Sequence, residues 1–169
     1  MTKISKEITL KASKIRLLLT DCDGVLTDGG VYYSAQGEEM KRFSLRDGMG
    51  VERLRNLAHV ETGLITGENS DIVLRRTEKL GIREYHPGVR DKASKLKEIL
   101  KSKNLDANEV AYIGDDSNDL EIMKLVGLSA CPADAMPVII EIAGIVTENK
   151  GGFGALRDFA EIIINAKLK

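Results

Sequence analysis

Four short stretches of the chain concentrate side chains that can do chemistry. Asp21-Cys22-Asp23-Gly24 sets two carboxylates two residues apart, followed by a glycine that lets backbone come close to another group. In an extended segment the two acids project to the same side, where like charges require a cation, a shared proton or solvent. Thr66-Gly67 offers a hydroxyl and an unobstructed amide at an expected helix N-terminus, a favourable place for an anion. Lys92 opens another expected helix beside Asp91, and Gly114-Asp115-Asp116-Ser117-Asn118-Asp119 crowds three more acids. The inventory is a hard-cation site, an anion cradle and a fixed positive charge around paired carboxylates, which is what phosphoryl transfer requires. Mg²⁺ takes oxygen ligands and keeps several waters, so a few carboxylates suffice to hold it. A carboxylate can also be the nucleophile. Asp21 would then attack phosphorus to give an aspartyl-phosphate, with Asp23 protonating the departing alkoxide and afterwards activating water.

Each stretch follows a short apolar or β-branched run, so the elements that position them can be read next. Residues 15–20, 60–66, 83–85, 110–114, 128–130 and 145–147 read as strands. Residues 48–58, 69–80, 91–103, 117–126, 137–143 and 155–167 read as helices, with Gly81 and Gly127 as stops, and residues 29–43 as a hairpin. Strand–helix alternation of this kind predicts an α/β three-layer fold with a central, mainly parallel sheet. In such sheets ligands bind beyond the carboxyl ends of the strands, where the chemically capable residues fall here.

Composition narrows the function classes. The 169 residues suit one domain, with 43% hydrophobic and 30% charged residues supporting a core and a polar surface. Lys plus Arg is 25 and Asp plus Glu 26, so no basic excess favours nucleic acid, and 4% aromatics with no Trp disfavours base stacking. No apolar run is long enough to cross a bilayer, and the polar, helix-like first 16 residues do not read as a secretion signal. Two cysteines, Cys22 and Cys131, are too few for a disulfide framework, and the expected location is the cytoplasm. The chain reads as a single domain, 1–169, with an N-terminal extension 1–14, the hairpin 29–43, and a Gly-rich tail with a C-terminal helix over 150–169.

In order, Asp21-x-Asp23-Gly24-Val25, Thr66, Lys92 and Gly114-Asp115-Asp116-x-x-Asp119 resemble the four motifs of the haloacid dehalogenase-like phosphatase superfamily. The run from Asp23 to Gly29, the Tyr-bearing hairpin, Phe43-x-x-Arg46-Asp47-Gly48 and the tail Gly151-Gly152-Phe153-Gly154-Ala155-Leu156-Arg157 resemble its 3-deoxy-D-manno-octulosonate 8-phosphate phosphatase group. The resemblance covers about residues 15 to 164. It implies a Mg²⁺-dependent phosphatase with a Rossmann-like core, Asp21 as nucleophile and metal ligand, and Asp23 as acid/base, ligating metal through its carbonyl. It further implies Asp115 as the other metal carboxylate, Gly24, Thr66, Gly67 and Lys92 as phosphate ligands, and Asp116 and Asp119 as support. Octulosonate-specific members commonly carry Arg directly after Thr-Gly, whereas this chain has Glu68, with Lys79 one helix length on. That pair looks more like the branch acting on nine-carbon, sialic-acid-type nonulosonate 9-phosphates. The implied substrate is thus an eight- or nine-carbon 2-keto-3-deoxy sugar-acid phosphate, met by Arg46, Glu68, Lys79 and Arg157.

The stretches 24–66 and 67–91 are too short to hold a folded lid, so no separate cap domain is expected. An open site must serve a large substrate or borrow a lid. The resemblance favours a homotetramer whose hairpins associate, with the flexible Gly-rich tail ending in Arg157 reaching over a neighbouring site.

Simpler readings compete. Acids after strands are often solvated, which applies to Asp28, Asp47, Asp91 and Asp116, and Arg46 either binds a substrate carboxylate or faces water. His59 and His86 lack ligand spacing, and Cys22 between two acids suits packing better than redox chemistry. The acidic run from Asp115 lacks the Gly and the final Glu of an EF-hand loop. A receiver-like phosphoacceptor domain shares an acidic pair, Thr and Lys but has no counterpart to Asp23 as proton donor. A non-catalytic domain would have no need of the full set.

Overall fold

The computed structural model describes residues 4–169. Residues 1–3, the first part of the expected extension 1–14, lie outside the described residues. The rest of the extension forms α1 (Lys6–Ser13), whose cap Ser5 accepts from the Ile8 amide and whose Ala12 is buried.

Six parallel strands make the central sheet: β1 (Leu17–Thr20), β4 (Glu61–Ile65), β5 (Glu84–His86), β6 (Val110–Ile113), β7 (Leu128–Cys131) and β8 (Ile145–Val146). Their order is β5-β4-β1-β6-β7-β8. β2 (Thr27–Ser34) and β3 (Gly37–Phe43) pair antiparallel as a separate hairpin, with register shifts after Thr27 and Tyr32. The hairpin and α2 (Leu45–Ala58) account for most of the chain between β1 and β4, so no cap domain is present among the described residues. The remaining helices are α3 (Asp71–Leu80), α4 (Lys92–Lys103), α5 (Leu120–Leu125), α6 (Pro137–Ile142) and α7 (Ala155–Lys167). None among the described residues is long and apolar enough to cross a membrane.

Alternation along β1 builds the three layers, because successive side chains of a strand point to opposite faces. Leu18 joins Leu54, Val73, Phe159 and Ile163 in a core under α1, α2, α3 and α7. Leu17 and Leu19 join Leu96, Ile99, Ile122 and Ile139 in a second core under α4, α5 and α6. Both flanks of the central strand are therefore dry, which fixes the position of whatever follows it.

Strand order also fixes the crevice. From β1 the chain moves outward to β4 and β5, then returns to β6 on the other side of β1 and continues to β7 and β8. Neighbours β1 and β6 thus send their onward connections in opposite directions, which opens a cleft beyond their carboxyl ends. The two acid-rich stretches fall there. Elements follow the expected ones within a few residues, with two instructive differences. α2 starts earlier than residue 48 because Ser44 caps it, accepting from the Arg46 amide. The helix expected over 117–126 opens as a single 3-10 turn, since Asp116 and Asp119 form a reciprocal capping box that tightens the backbone before α5.

Candidate active site

Asp21 follows β1 directly and is 5% exposed. Its Oδ1 accepts from the Cys22 amide at 2.7 Å and pairs with Lys92 Nζ at 2.9 Å, while Oδ2 has no partner among the described residues. Lys92, the first residue of α4, is itself buried and bridges Asp21 to Asp119 Oδ1 at 2.7 Å. Asp119 is saturated. Tyr112 Oη donates to its Oδ1 at 2.6 Å, and the Asp115 and Asp116 amides donate to Oδ2 at 2.9 and 3.4 Å. Gly114 is required for this approach, because a Cβ there would lie 2.4 Å from the Asp119 carboxylate.

Asp115 follows β6 and completes the cluster. Asp21, Asp115 and Asp119 each offer an oxygen within 4.8 Å of the others. Asp115 Oδ1 is buried with no hydrogen-bond partner, an arrangement that costs free energy unless something positive meets it. Burial, then the charges of Asp21, Asp119 and Asp116, push the Asp115 carboxyl up to about 8 against Lys92. Burial and Asp119 likewise raise Asp21 to about 7, with Lys92 and the Cys22 amide opposing. Burial works against the Lys92 charge, yet Asp21 and Asp119 outweigh it and hold the ammonium above its ordinary value. One lysine against three carboxylates leaves a deficit of positive charge. The orphaned oxygen, the free Asp21 Oδ2 and an all-oxygen donor set fit a divalent hard cation. Asp119, with both oxygens taken, orients Lys92 rather than ligating.

The Asp21–Gly24 segment corrects one expectation. It is not extended: the chain turns after Cys22, whose carbonyl accepts from the amides of Val25, Leu26 and Thr27. Asp21 and Asp23 therefore meet different partners. Asp23, half-buried, accepts from the Thr27 hydroxyl at Oδ1 (3.1 Å) and from Lys41 Nζ at Oδ2 (2.7 Å). Gly24 adopts φ +84°, and a Cβ on it would lie 2.0 Å from Asp115 Oδ2, so this glycine admits Asp115. Its amide already reaches the Thr27 hydroxyl at 3.3 Å. Cys22 is buried, and burial with Asp23 and Asp21 pushes its thiol well up, in keeping with packing.

Thr66 and Gly67 follow β4 but do not begin a helix, a second correction. α3 starts only at Asp71, capped by Ser70. The loop earns its shape locally, with the Glu68 amide donating to Thr66 Oγ1 at 3.2 Å and the Val89 amide to the Thr66 carbonyl at 2.9 Å. The Gly67 amide has no protein partner among the described residues and is available to an anion. Asp116 is exposed and accepts from the Ser117 amide.

The expected specificity residues scatter. Arg46 and Glu68 are exposed, and neither side chain has a partner among the described residues. Lys79 is not brought to the cluster. It lies in the last turn of α3, lining a cavity of about 870 Å³ with Arg55, Glu61 and Arg83 at the amino end of the sheet. Helices that start beyond the carboxyl ends of strands run back to the opposite pole, so one helix length carries Lys79 away. Arg157 packs on its own molecule, its Nε 2.8 Å from Glu161 Oε1 and its amide 3.0 Å from Asp47 Oδ1.

The Gly-rich tail is likewise not a free strap within this chain. Gly152 donates to the Val25 carbonyl at 2.9 Å, Gly151 to Asp134 Oδ1 at 2.9 Å, and Gly154 to Asp47 Oδ2 at 3.2 Å. A Cβ on Gly151 would meet the Gly24 carbonyl oxygen at 1.8 Å. Gly151 and Gly152 serve close backbone packing against the Asp21–Asp28 loop. Asp47, read as a solvated acid, is buried and pins the start of α7. Lys41 and Tyr112 were not legible as site residues; the one signal for Lys41 was its inward place in a hairpin strand.

Residues 64–155 match a haloacid dehalogenase-like hydrolase family model. The chain is 39% identical over 166 residues to the 3-deoxy-D-manno-octulosonate 8-phosphate phosphatase of Yersinia pestis, covering 98% of this chain and 88% of that one. The solved phosphatase of that name from Moraxella catarrhalis, in complex with magnesium ion, phosphate ion and KDO molecule, superposes with a TM-score of 0.93 at 33% identity. It covers 98% of this chain and 94% of that one. The cobalt-bound form of the Haemophilus influenzae phosphatase superposes at 0.90 with 36% identity, covering 94% and 92% of the two chains.

Proposed function

The chain belongs to the haloacid dehalogenase-like hydrolases, and from that premise we propose that it hydrolyses the 8-phosphate ester of 3-deoxy-D-manno-octulosonate through an aspartyl-phosphate on Asp21. The observation that carries the proposal is the Asp21 carboxylate, fixed by Lys92 and the Cys22 amide on one oxygen and free on the other. Relatives matched over 98% of this chain and 88% of their own length bear that phosphatase name, and one solved neighbour holds magnesium, phosphate and the sugar acid.

The chain's own groups divide the work. Asp21 Oδ2 attacks phosphorus while Lys92, the Gly67 amide and the Thr66 hydroxyl hold the phosphoryl oxygens. Asp23 protonates the leaving alkoxide and then takes a proton from the water that cleaves the Asp21 ester. Tyr112 and Asp119 keep Lys92 aimed at the site. Asp21, Asp115 and the Asp23 carbonyl would hold a divalent cation, Mg²⁺ in our reading, which when bound neutralises charge on the phosphoryl group.

A second substrate reading, a nonulosonate 9-phosphate, is favoured by Glu68, exposed directly after Thr66-Gly67 where octulosonate-specific members commonly carry Arg. Side-by-side kcat/KM on the eight- and nine-carbon phosphates, with Mg²⁺, decides between them. A preference of about tenfold or more for the 8-phosphate is expected, and the reverse preference transfers the assignment. Activity on neither would sink both.

We also place the enzyme in the cytoplasm as a homotetramer built from one domain. The hairpin supports the assembly by exposing Tyr32, Tyr33 and Met40 at 63, 72 and 59%. Light scattering should give four times the chain mass; a monomer would remove this part of the reading.

A further inference from the structure

The hairpin delivers one buried cation to the site. Along β3 the side chains alternate, so that Met40 and Arg42 face out and Lys41 faces in, with its side chain only 1% exposed. A buried ammonium costs several kcal/mol unless it is paired, and Lys41 meets two carboxylates. Asp23 Oδ2 lies at 2.7 Å and Glu38 Oε2 at 3.4 Å. Glu38 in turn accepts from the Ser70 hydroxyl, and Ser70 caps α3. Lys41 is therefore anchored to the sheet-borne layer through Glu38 and Ser70, and does not simply follow Asp23. Asp23 keeps 28% of its side chain exposed, with its two oxygens in different settings. Oδ2 faces the fixed ammonium; among the described residues Oδ1 meets only the rotatable hydroxyl of Thr27.

We propose that Lys41 is a positioning residue for proton transfer, holding Asp23 Oδ2 so that Oδ1 is the oxygen that exchanges the proton with the leaving group and with water. The inference rests on the phosphatase reading above. In the first half-reaction the ester P–O bond breaks as the Asp21 Oδ2–P bond forms, and the proton on Asp23 Oδ1 moves to the departing oxygen. In the second, the oxygen of water bonds to phosphorus, the Asp21–P bond breaks, and the proton lost by water returns to Oδ1. The net change is one ester and one water to one alcohol and one phosphate, with Lys41 unchanged.

Leaving-group dependence tests the role, because a p-nitrophenolate departs with little protonation whereas a sugar alkoxide needs it. For Lys41→Met, kcat/KM on the sugar-acid phosphate should fall by about 100-fold, and on p-nitrophenyl phosphate by less than about fivefold. Lys41→Arg, which restores the charge, should recover about tenfold of the loss on the sugar phosphate. Equal losses on the two esters, or no loss on either, would overturn the positioning role. If Lys41→Met does not fold by circular dichroism, Glu38→Gln carries the test. Freeing one anchor should shift the ratio of the two kcat/KM values by about threefold or more in the same direction, and an unchanged ratio overturns the proposal. A wild-type protein that hydrolyses neither ester would instead sink the phosphatase reading itself.

Discussion

The two poles of the sheet use the same residue types to opposite ends. At the carboxyl pole, Lys92, Asp21 and Asp119 are 8% exposed or less and share contacts, so no charge there can be altered without stranding another. At the amino pole, Lys103 pairs with Glu61 at 2.8 Å and Glu84 at 3.2 Å, with the Glu61 side chain 67% exposed, and Arg16 pairs with Glu109 at 3.1 Å. Each pair there keeps water access, from 24% of the Lys103 side chain to 67% of Glu61. Desolvation at one pole and hydration at the other separate a reaction site from a surface, even though an ion-pair count would rate them alike.

The contrast can be broken first at Asp21. Asp21→Asn keeps shape and removes the nucleophile, so turnover of the phosphate ester should fall by on the order of 10⁴-fold or more. Retained activity in a steady-state assay would end the covalent mechanism. Next comes the buried cation. Lys92→Met leaves Asp21 and Asp119 facing each other in a dry site and should cost about 3–5 kcal/mol in urea unfolding. Lys103→Met at the other pole should cost less than about 1 kcal/mol. Similar losses from the two lysines would erase the distinction between the poles. Gly151→Ala tests the tail's packing on the Asp21–Asp28 loop. Its Cβ has no room beside the Gly24 carbonyl, so about 2 kcal/mol or more should be lost, with kcat reduced in the folded fraction. Wild-type stability in the melting curve would restore the picture of a mobile strap.

The smallest expected effect is on pH dependence. Asp21 and Asp115 are raised to about 7 and about 8 in the folded chain, above their unfolded values near 4. Groups shifted upward contribute stability that is complete below the unfolded value and is lost as pH rises through the folded one. Metal-free protein should therefore weaken from pH 6 to pH 8.5, while a bound divalent cation offsets the ionised pair. The gap in Tm between Mg²⁺-loaded and metal-free protein should widen by about 3 °C or more over that range. A gap that stays constant, or narrows, would take these two carboxylates out of the cation site.

The order of strands and helices was legible in the residues because apolar runs, caps and glycine stops are local signals. So was the placement of Asp21, Thr66, Lys92 and Asp115 after strands, since a parallel sheet puts every strand end at one pole. Lys79 shows the limit of spacing: one helix length after Glu68 reads as near along the chain, yet the helix carries it to the far pole. Asp47 shows another, because an acid in a polar stretch reads as solvated until α7 packs its first turn onto it.

Sequence alone determined which residues stand beyond the strands, and with them the class of chemistry, because those facts depend on local periodicity and residue type. Tertiary structure decided what each group does. Packing of β3 against the Asp21–Asp28 loop gave Asp23 its lysine. Close approach of Gly24 and Gly114 gave Asp115 and Asp119 their room, and Gly151 and Gly152 joined the tail to the Asp21–Asp28 loop. Those outcomes depend on contacts between segments far apart in the chain, where burial removes water and makes each charge answer to its neighbours.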